Sequence, residues 1–164
     1  MTFIRSAIAV LTGFIVMMVI VRLTIPAAAI GVGLDRLRDA DTGVMTRWFI
    51  LVVEWPTSLF ASVLGGVVAG LIAGRLLRLR AGFALAAFVV ITGLALMAVP
   101  EAVVQGTPTE AGADSGPIPQ LPPRPAWDRL FLPLLGGVGV LLGVRFVERA
   151  AIGLGARPES SEAS

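Results

Sequence analysis

The sequence predicts an all-α integral membrane protein, a four-helix bundle with both termini on the cytoplasmic side. Three observations predict it. Hydrophobic residues make up 56% of the 164 and charged residues only 15%, with a mean hydropathy of +0.89. Soluble domains carry roughly 45–50% apolar and about 25% charged residues. Four apolar runs approach the length of about 20 residues that a helix needs to cross hydrocarbon. Arginines stop those runs, and glycines recur inside them at helical spacing. Residues 1–150 read as one four-helix domain with spans at about 6–25, 52–77, 81–100 and 129–148.

The first span follows Arg5 and runs from Ser6 to about Leu23, with Arg22 near its far end. A second reading of this run is open. A short basic start, an apolar stretch from Ala7 to Val21 and the segment Pro26-Ala27-Ala28-Ala29 together resemble a signal peptide cleaved after Ala29. Arg22 interrupts the apolar approach to that site and favours retention. The second span starts at Trp48 or at Pro56 and ends near Leu77. Pro56 and Pro100 place helix ends beside Glu54 and Glu101, since proline breaks the helical ladder. The third span is Ala81 to Val99, and the fourth is Leu130 to Val147, where Arg129 and Arg145 reach toward the two interfaces.

The connecting segments carry no domain. Gly31 to Thr46 is a polar outer loop of nearly balanced charge. Residues 105–126 form a Pro/Gly-rich outer loop that cannot bury a core, and residues 151–164 a disordered cytoplasmic tail.

Orientation follows from the arginines. With the termini and the Arg75 to Arg80 turn inside, that side gains Arg5, Arg75, Arg78, Arg80, Arg145, Arg149 and Arg157. Trp48, Trp55 and Trp127 then fall on the outer side as interface anchors.

Packing is written in small residues. Ser58, Ser62, Gly66, Gly70 and Gly74 form one row of the second span, and Thr57, Ala61, Gly65, Ala69 and Ala73 the row beside it. Such rows let backbones approach closely in lipid. The fourth span offers Gly136, Gly139 and Gly143. Gly66 precedes Arg75 by the same distance that Gly136 precedes Arg145, so the two helices are expected to meet glycine to glycine at matching depth. A homodimer face competes with this internal seam. The row is also expected to drift around the helix before its serines reach Glu54, since an i+4 step overshoots a turn of 3.6 residues by about 40°. Leu64-Gly65-Gly66-Val67 and Leu135-Gly136-Gly137-Val138 echo one another, which fits two helical hairpins as a parallel repeat.

Chemistry is confined to charges near the membrane. Arg22, Glu54 and Glu101 all fall about 24–30 Å from the inner boundary and form a candidate cluster, because a charge in hydrocarbon is costly unless paired. An interfacial role for each is the plainer reading. All 13 basic residues are arginine, and they flank apolar runs without forming a basic face, which excludes a nucleic-acid footprint. With no cysteine and no histidine, thiol chemistry and the common metal ligands are missing. No hydrolase or nucleotide motif is present, so no catalytic residue, metal or cofactor is expected.

Gly13-Phe14-Ile15-Val16 opens the first helix, Gly65-Gly66-Val67-Val68-Ala69-Gly70-Leu71-Ile72-Ala73 fills the second, and Pro125-Ala126-Trp127 precedes the glycine-rich last one. This pattern resembles a group of small four-span membrane proteins of bacteria to which no activity is assigned, although the histidine often found near their Pro-Trp element is missing here. The resemblance implies a fold and a place in the bacterial inner membrane, without an activity. Function is therefore expected to be that of a structural or partner-binding bundle, its partners being the lipid bilayer and a second copy or a larger membrane protein. The alternative is a small transporter or channel using Arg22, Glu54 and Glu101. A membrane enzyme is the least supported class.

Overall fold

The structure, a computed structural model, describes residues 2–74, 76–97 and 124–155. Among them it is all-helical, with one isolated backbone bridge between Arg38 and Met45. Helix α1 spans Thr2–Val32 and the short α2 spans Leu34–Leu37. The short α3, Arg47–Phe49, runs through a π turn, Ile50–Glu54, directly into α4, Trp55–Ala73. Helix α5 spans Arg78–Met97 and α6 spans Ala126–Gly155. Four stretches are long and apolar enough to cross a membrane: Ile4–Val32, Arg47–Ala73, Arg78–Ala95 and Trp127–Ala151.

Helix α4 is the centre of the bundle and packs on α1, α5 and α6, while α5 also touches both flanking helices. Its two small-residue rows face different neighbours. On one side Gly13 and Gly65 meet backbone to backbone. A Cβ added to either would lie 2.7 Å from the other's carbonyl oxygen. On the other side a Cβ on Gly66 would strike the Val140 carbonyl, and one on Gly143 the Val63 carbonyl. The second and fourth spans thus share a seam, but not glycine on glycine. Gly66 lies against Val140, one turn past the expected Gly136, because a glycine notch accepts the ridge of the opposing backbone and not another notch. Gly139 lies against Ser62 and Leu59, Gly136 lies between Val89 and Ser62, and Gly70 faces Arg78 and Val144. Gly82 on Val144 and Gly137 on Val90 close α5 onto α6 in the same manner. The two hairpins are packed unequally. An exact two-fold would give α1 the contact with α6 that α5 has with α4, whereas α1 packs on α5 instead.

Three clusters of buried apolar residues are stacked along the bundle. Ala9, Ala73 and Ala81 fill one end, and Met17, Ala61, Ala69, Leu85, Ala86, Val89 and Val140 fill the middle. Ile25, Ala29, Leu37, Met45, Phe49 and Ile50 fill the other end. The last cluster corrects the reading of residues 31–46 as a polar loop. Leu37 and Met45 fold inward over the helix ends, and the bridge between Arg38 and Met45 holds them there.

Several boundaries also differ from expectation. Pro26 lies inside α1, and Ala29 beyond it is buried in that same cluster. Of the two starts read for the second span, Trp48 and Pro56, the structure takes the first to within one residue, since the helix runs from Arg47. Proline has no N–H and its ring crowds the preceding turn, and here the backbone widens into the π turn just before it. The same span ends at Ala73, not Leu77. Gly74 is not a seam residue but terminates α4 at φ 76°, a left-handed conformation that favours glycine. Helix α6 continues through residues 151–155 of the expected tail. Residues 156–164, Arg75 and residues 98–123, which hold Glu101 and most of the Pro/Gly-rich loop, lie outside the described residues.

The arginine end is tied together by hydrogen bonds. Arg5 Nε donates to the Ile72 carbonyl at 2.8 Å and Arg78 Nε to the Gly70 carbonyl at 3.2 Å. Both carbonyls belong to the last turn of α4, which has no helical donors left, and cations there also oppose the helix dipole. Arg78 Nη1 donates to the Val147 carbonyl at 3.3 Å and so adds α6 to the knot.

Three outcomes are expected. Gly66→Ala should destabilise the protein by about 1–3 kcal/mol in reversible unfolding from detergent, through overpacking. Gly31→Ala, where a Cβ meets nothing within 4 Å, should be neutral or stabilising. In the turn over α2, the Thr42 amide, the Thr42 hydroxyl and the Asp41 amide hold Asp39 below the ordinary aspartate value of 3.8. A depressed folded-state value means that the turn keeps its full stabilisation above the unfolded value and loses it as pH falls through the lower folded one. The NMR shift of the Thr42 amide should therefore titrate below 3.8, and Asp39→Ala should abolish that titration.

Candidate functional site

The polar groups that are buried gather at the tryptophan end, where the π turn meets the start of α6. Glu54 closes the π turn with 0% exposure, and Asp128, in the first turn of α6, is also at 0%. Arg124, two residues ahead of α6, forms an ion pair with Glu54 Oε1 while remaining 36% exposed. Trp55 Nε1 donates to Asp128 Oδ1 at 2.8 Å. Trp127 packs edge-on against Trp55 with centroids 6.0 Å apart, and Phe131 flanks the same ring at 6.2 Å. The helix N-terminus favours negative charge at Asp128 through its free amides and dipole.

The two carboxylates are only partly satisfied. Glu54 Oε2 and Asp128 Oδ2 are buried and have no hydrogen-bond partner. One turn further along α4 the buried Ser58 hydroxyl is likewise without a partner. Ser62 follows, its hydroxyl 2.7 Å from the Ser58 carbonyl and 3.3 Å from Met17 Sδ. Glu54, Ser58 and Ser62 are thus all buried, at four-residue spacing along this helix. Beyond Ser62 the row continues as Gly66 and Gly70, which carry no polar side chain.

The expected partner of Glu54 is not the observed one. Arg22 is exposed on α1, Glu54 is buried against Arg124, and Glu101 lies outside the described residues. Helix α1 brings Val21, Ile25 and Ala29 to this end, so Arg22 points off the face that packs. Trp48 is half-exposed beside Phe49, as an interface residue would be. Trp55 is instead committed inward, through its indole N–H and its two ring contacts.

Asp128 and Arg124 went unnoticed in the sequence because both sit where a span seems only to begin. One signal was available. Glu54-Trp55-Pro56 and Pro125-Ala126-Trp127-Asp128 put an acid beside a tryptophan at the same end of the two helices predicted to share a seam. No protein family, curated protein or solved structure matches this chain.

Removing Arg124 should strand a buried carboxylate. Arg124→Ala is expected to cost about 2–5 kcal/mol, toward the lower end because the guanidinium is partly solvated. Arg124→Ala combined with Glu54→Gln should recover most of that loss, and reversible unfolding of the single and double variants measures the difference.

Proposed function

We propose that the protein is a small multi-pass bundle of a bacterial inner membrane, N-in and C-in, that handles a small cation at Glu54, Asp128 and Arg124 near its outer surface. The observation that carries this reading is a pair of fully buried carboxylates, Glu54 ion-paired with Arg124 and Asp128 held by the Trp55 indole, each with an oxygen that has no hydrogen-bond partner. Ionisable groups at membrane depth are costly and are kept where they act on ions or solutes. Support for the orientation comes from the opposite ends of the bundle. Arg5 and Arg78 are tied to the last turn of α4 at one end, and Trp48, Trp55 and Trp127 gather at the other.

A structural or partner-binding role has its own support in the outer face of α1. Ile4, Ile8, Leu11, Ile15, Val19 and Leu23 form an exposed aliphatic ridge at helical spacing, suited to lipid or to a helix of a second copy or larger partner. Crosslinking along this ridge, followed by native mass spectrometry, distinguishes monomer, homo-oligomer and hetero-complex.

Reconstituted in liposomes containing a pH-sensitive or cation-sensitive dye, the wild-type protein should carry a cation flux. Glu54→Gln and Asp128→Asn should each abolish it. Flux that persists unchanged in both variants would remove the site from the mechanism.

A further inference from the structure

We propose that Arg145 and Arg149, on the outer face of α6, bind the headgroup of an anionic phospholipid at the arginine end of the bundle. This rests on reading the helices as membrane spans and is independent of the cation site.

The two arginines stand one turn apart, and both are exposed. They end a row that begins with Leu134, Val138 and Leu142, spaced so that all five share one side of the helix. The three aliphatic members are exposed as well, whereas Val140, Val144 and Val147 on the side toward the other helices are buried. This row therefore faces lipid. Among the described residues neither guanidinium has an ion pair or a hydrogen bond. Glu148 stands between them in sequence, but it is half-buried and pairs with neither. Arg78 donates to the Gly70 and Val147 carbonyls, and its charge adds to theirs at the same level.

Depth decides what can reach them. Val147, midway between the two, lies 20 residues past Trp127, which is about 30 Å of helix and the thickness of a bilayer core. Its carbonyl is the one that Arg78 ties to the last turn of α4, where that span ends. Arg145 thus sits about 3 Å inside the boundary and Arg149 about 3 Å outside it. Lipid phosphates occupy this layer. A charge facing hydrocarbon is costly without a counter-ion, and no described residue supplies one. A phosphodiester does, because its oxygens accept the paired N–H groups of guanidinium. Its acyl chains then lie along Leu142, Val138 and Leu134. A zwitterionic lipid brings the same phosphate together with an ammonium that the arginines repel, so a lipid of net negative charge is preferred.

The chain has no cysteine, so Leu142→Cys accepts a single bimane label one turn from Arg145. Phe83→Cys places the same label at matching depth on α5, where Gly82 packs on Val144 and Arg80 is the neighbouring arginine. In phosphatidylcholine liposomes, quenching by nitroxide-labelled phosphatidylglycerol is compared with quenching by nitroxide-labelled phosphatidylcholine. At position 142 phosphatidylglycerol should be preferred by about five-fold or more, the factor that one arginine near a charged surface contributes. Arg145→Gln together with Arg149→Gln should bring the two lipids to parity there, and position 83 should show a clearly smaller preference. Unchanged quenching by phosphatidylcholine in the double variant shows that α6 still lies in lipid. Equal quenching at position 142, a preference that survives the double variant, or the same preference at both positions would overturn the proposal. So would a preference erased by inorganic phosphate at constant ionic strength, which marks a site for free anions. Quenching by neither lipid at either position is a different failure, since it removes the membrane reading itself.

Discussion

The bundle depends on backbones being allowed to touch. With lipid-like side chains on every outer face, no hydrophobic drive distinguishes one helix pairing from another, so close contact and polar ties must do so. Gly13 against Gly65, Gly66 against Val140 and Gly143 against Val63 supply that contact on two sides of α4. Because these approaches are set by carbonyl oxygens and not by flexible side chains, they fix both the separation and the register of the helices. The register matters beyond packing. It sets where the first turn of α6 arrives relative to the π turn, and hence that Asp128 arrives at Glu54.

The π turn is the second determinant. Pro56 would otherwise clash with the turn before it, and the widened backbone that precedes it ends at Glu54, which is buried like Ser58 and Ser62 beyond it. The widened turn thus has two effects, a helix that runs from Arg47 through Pro56 without a break and a buried acid where an interfacial one was expected. Trp55, displaced in the same step, turns its indole toward α6 instead of the interface.

Much of this was legible in the chain. The apolar runs, their arginine stops and the small-residue rows of the second span lead to four helices and to α4 and α6 as neighbours, since composition and spacing act locally. What was not legible needed information from two places at once. The depth of Gly66 against α6 depends on a notch meeting a ridge, which a count back to Arg75 does not contain. The pairing of Glu54 with Arg124 joins residues on either side of an intervening helix and a long connection. Leu37 and Met45 looked polar by neighbourhood, and only the bridge that folds the loop shows them as lids.

The hydrogen bond from Arg5 to the Ile72 carbonyl sets a direction in time as well as in space. Everything that holds α1 to α4, including Gly13 on Gly65 and Ala9 near Ala73, is encoded before residue 75. As the chain emerges N-terminus first, this pair can close as soon as its second member is made. Arg78, which reaches back to Gly70 and forward to Val147, then closes the later pair onto the earlier one. The acid pair is the last feature to exist, because Asp128 and Arg124 arrive only with α6. Until then Glu54 has no counterion, so the charge that marks the site is also the one that assembly leaves waiting longest.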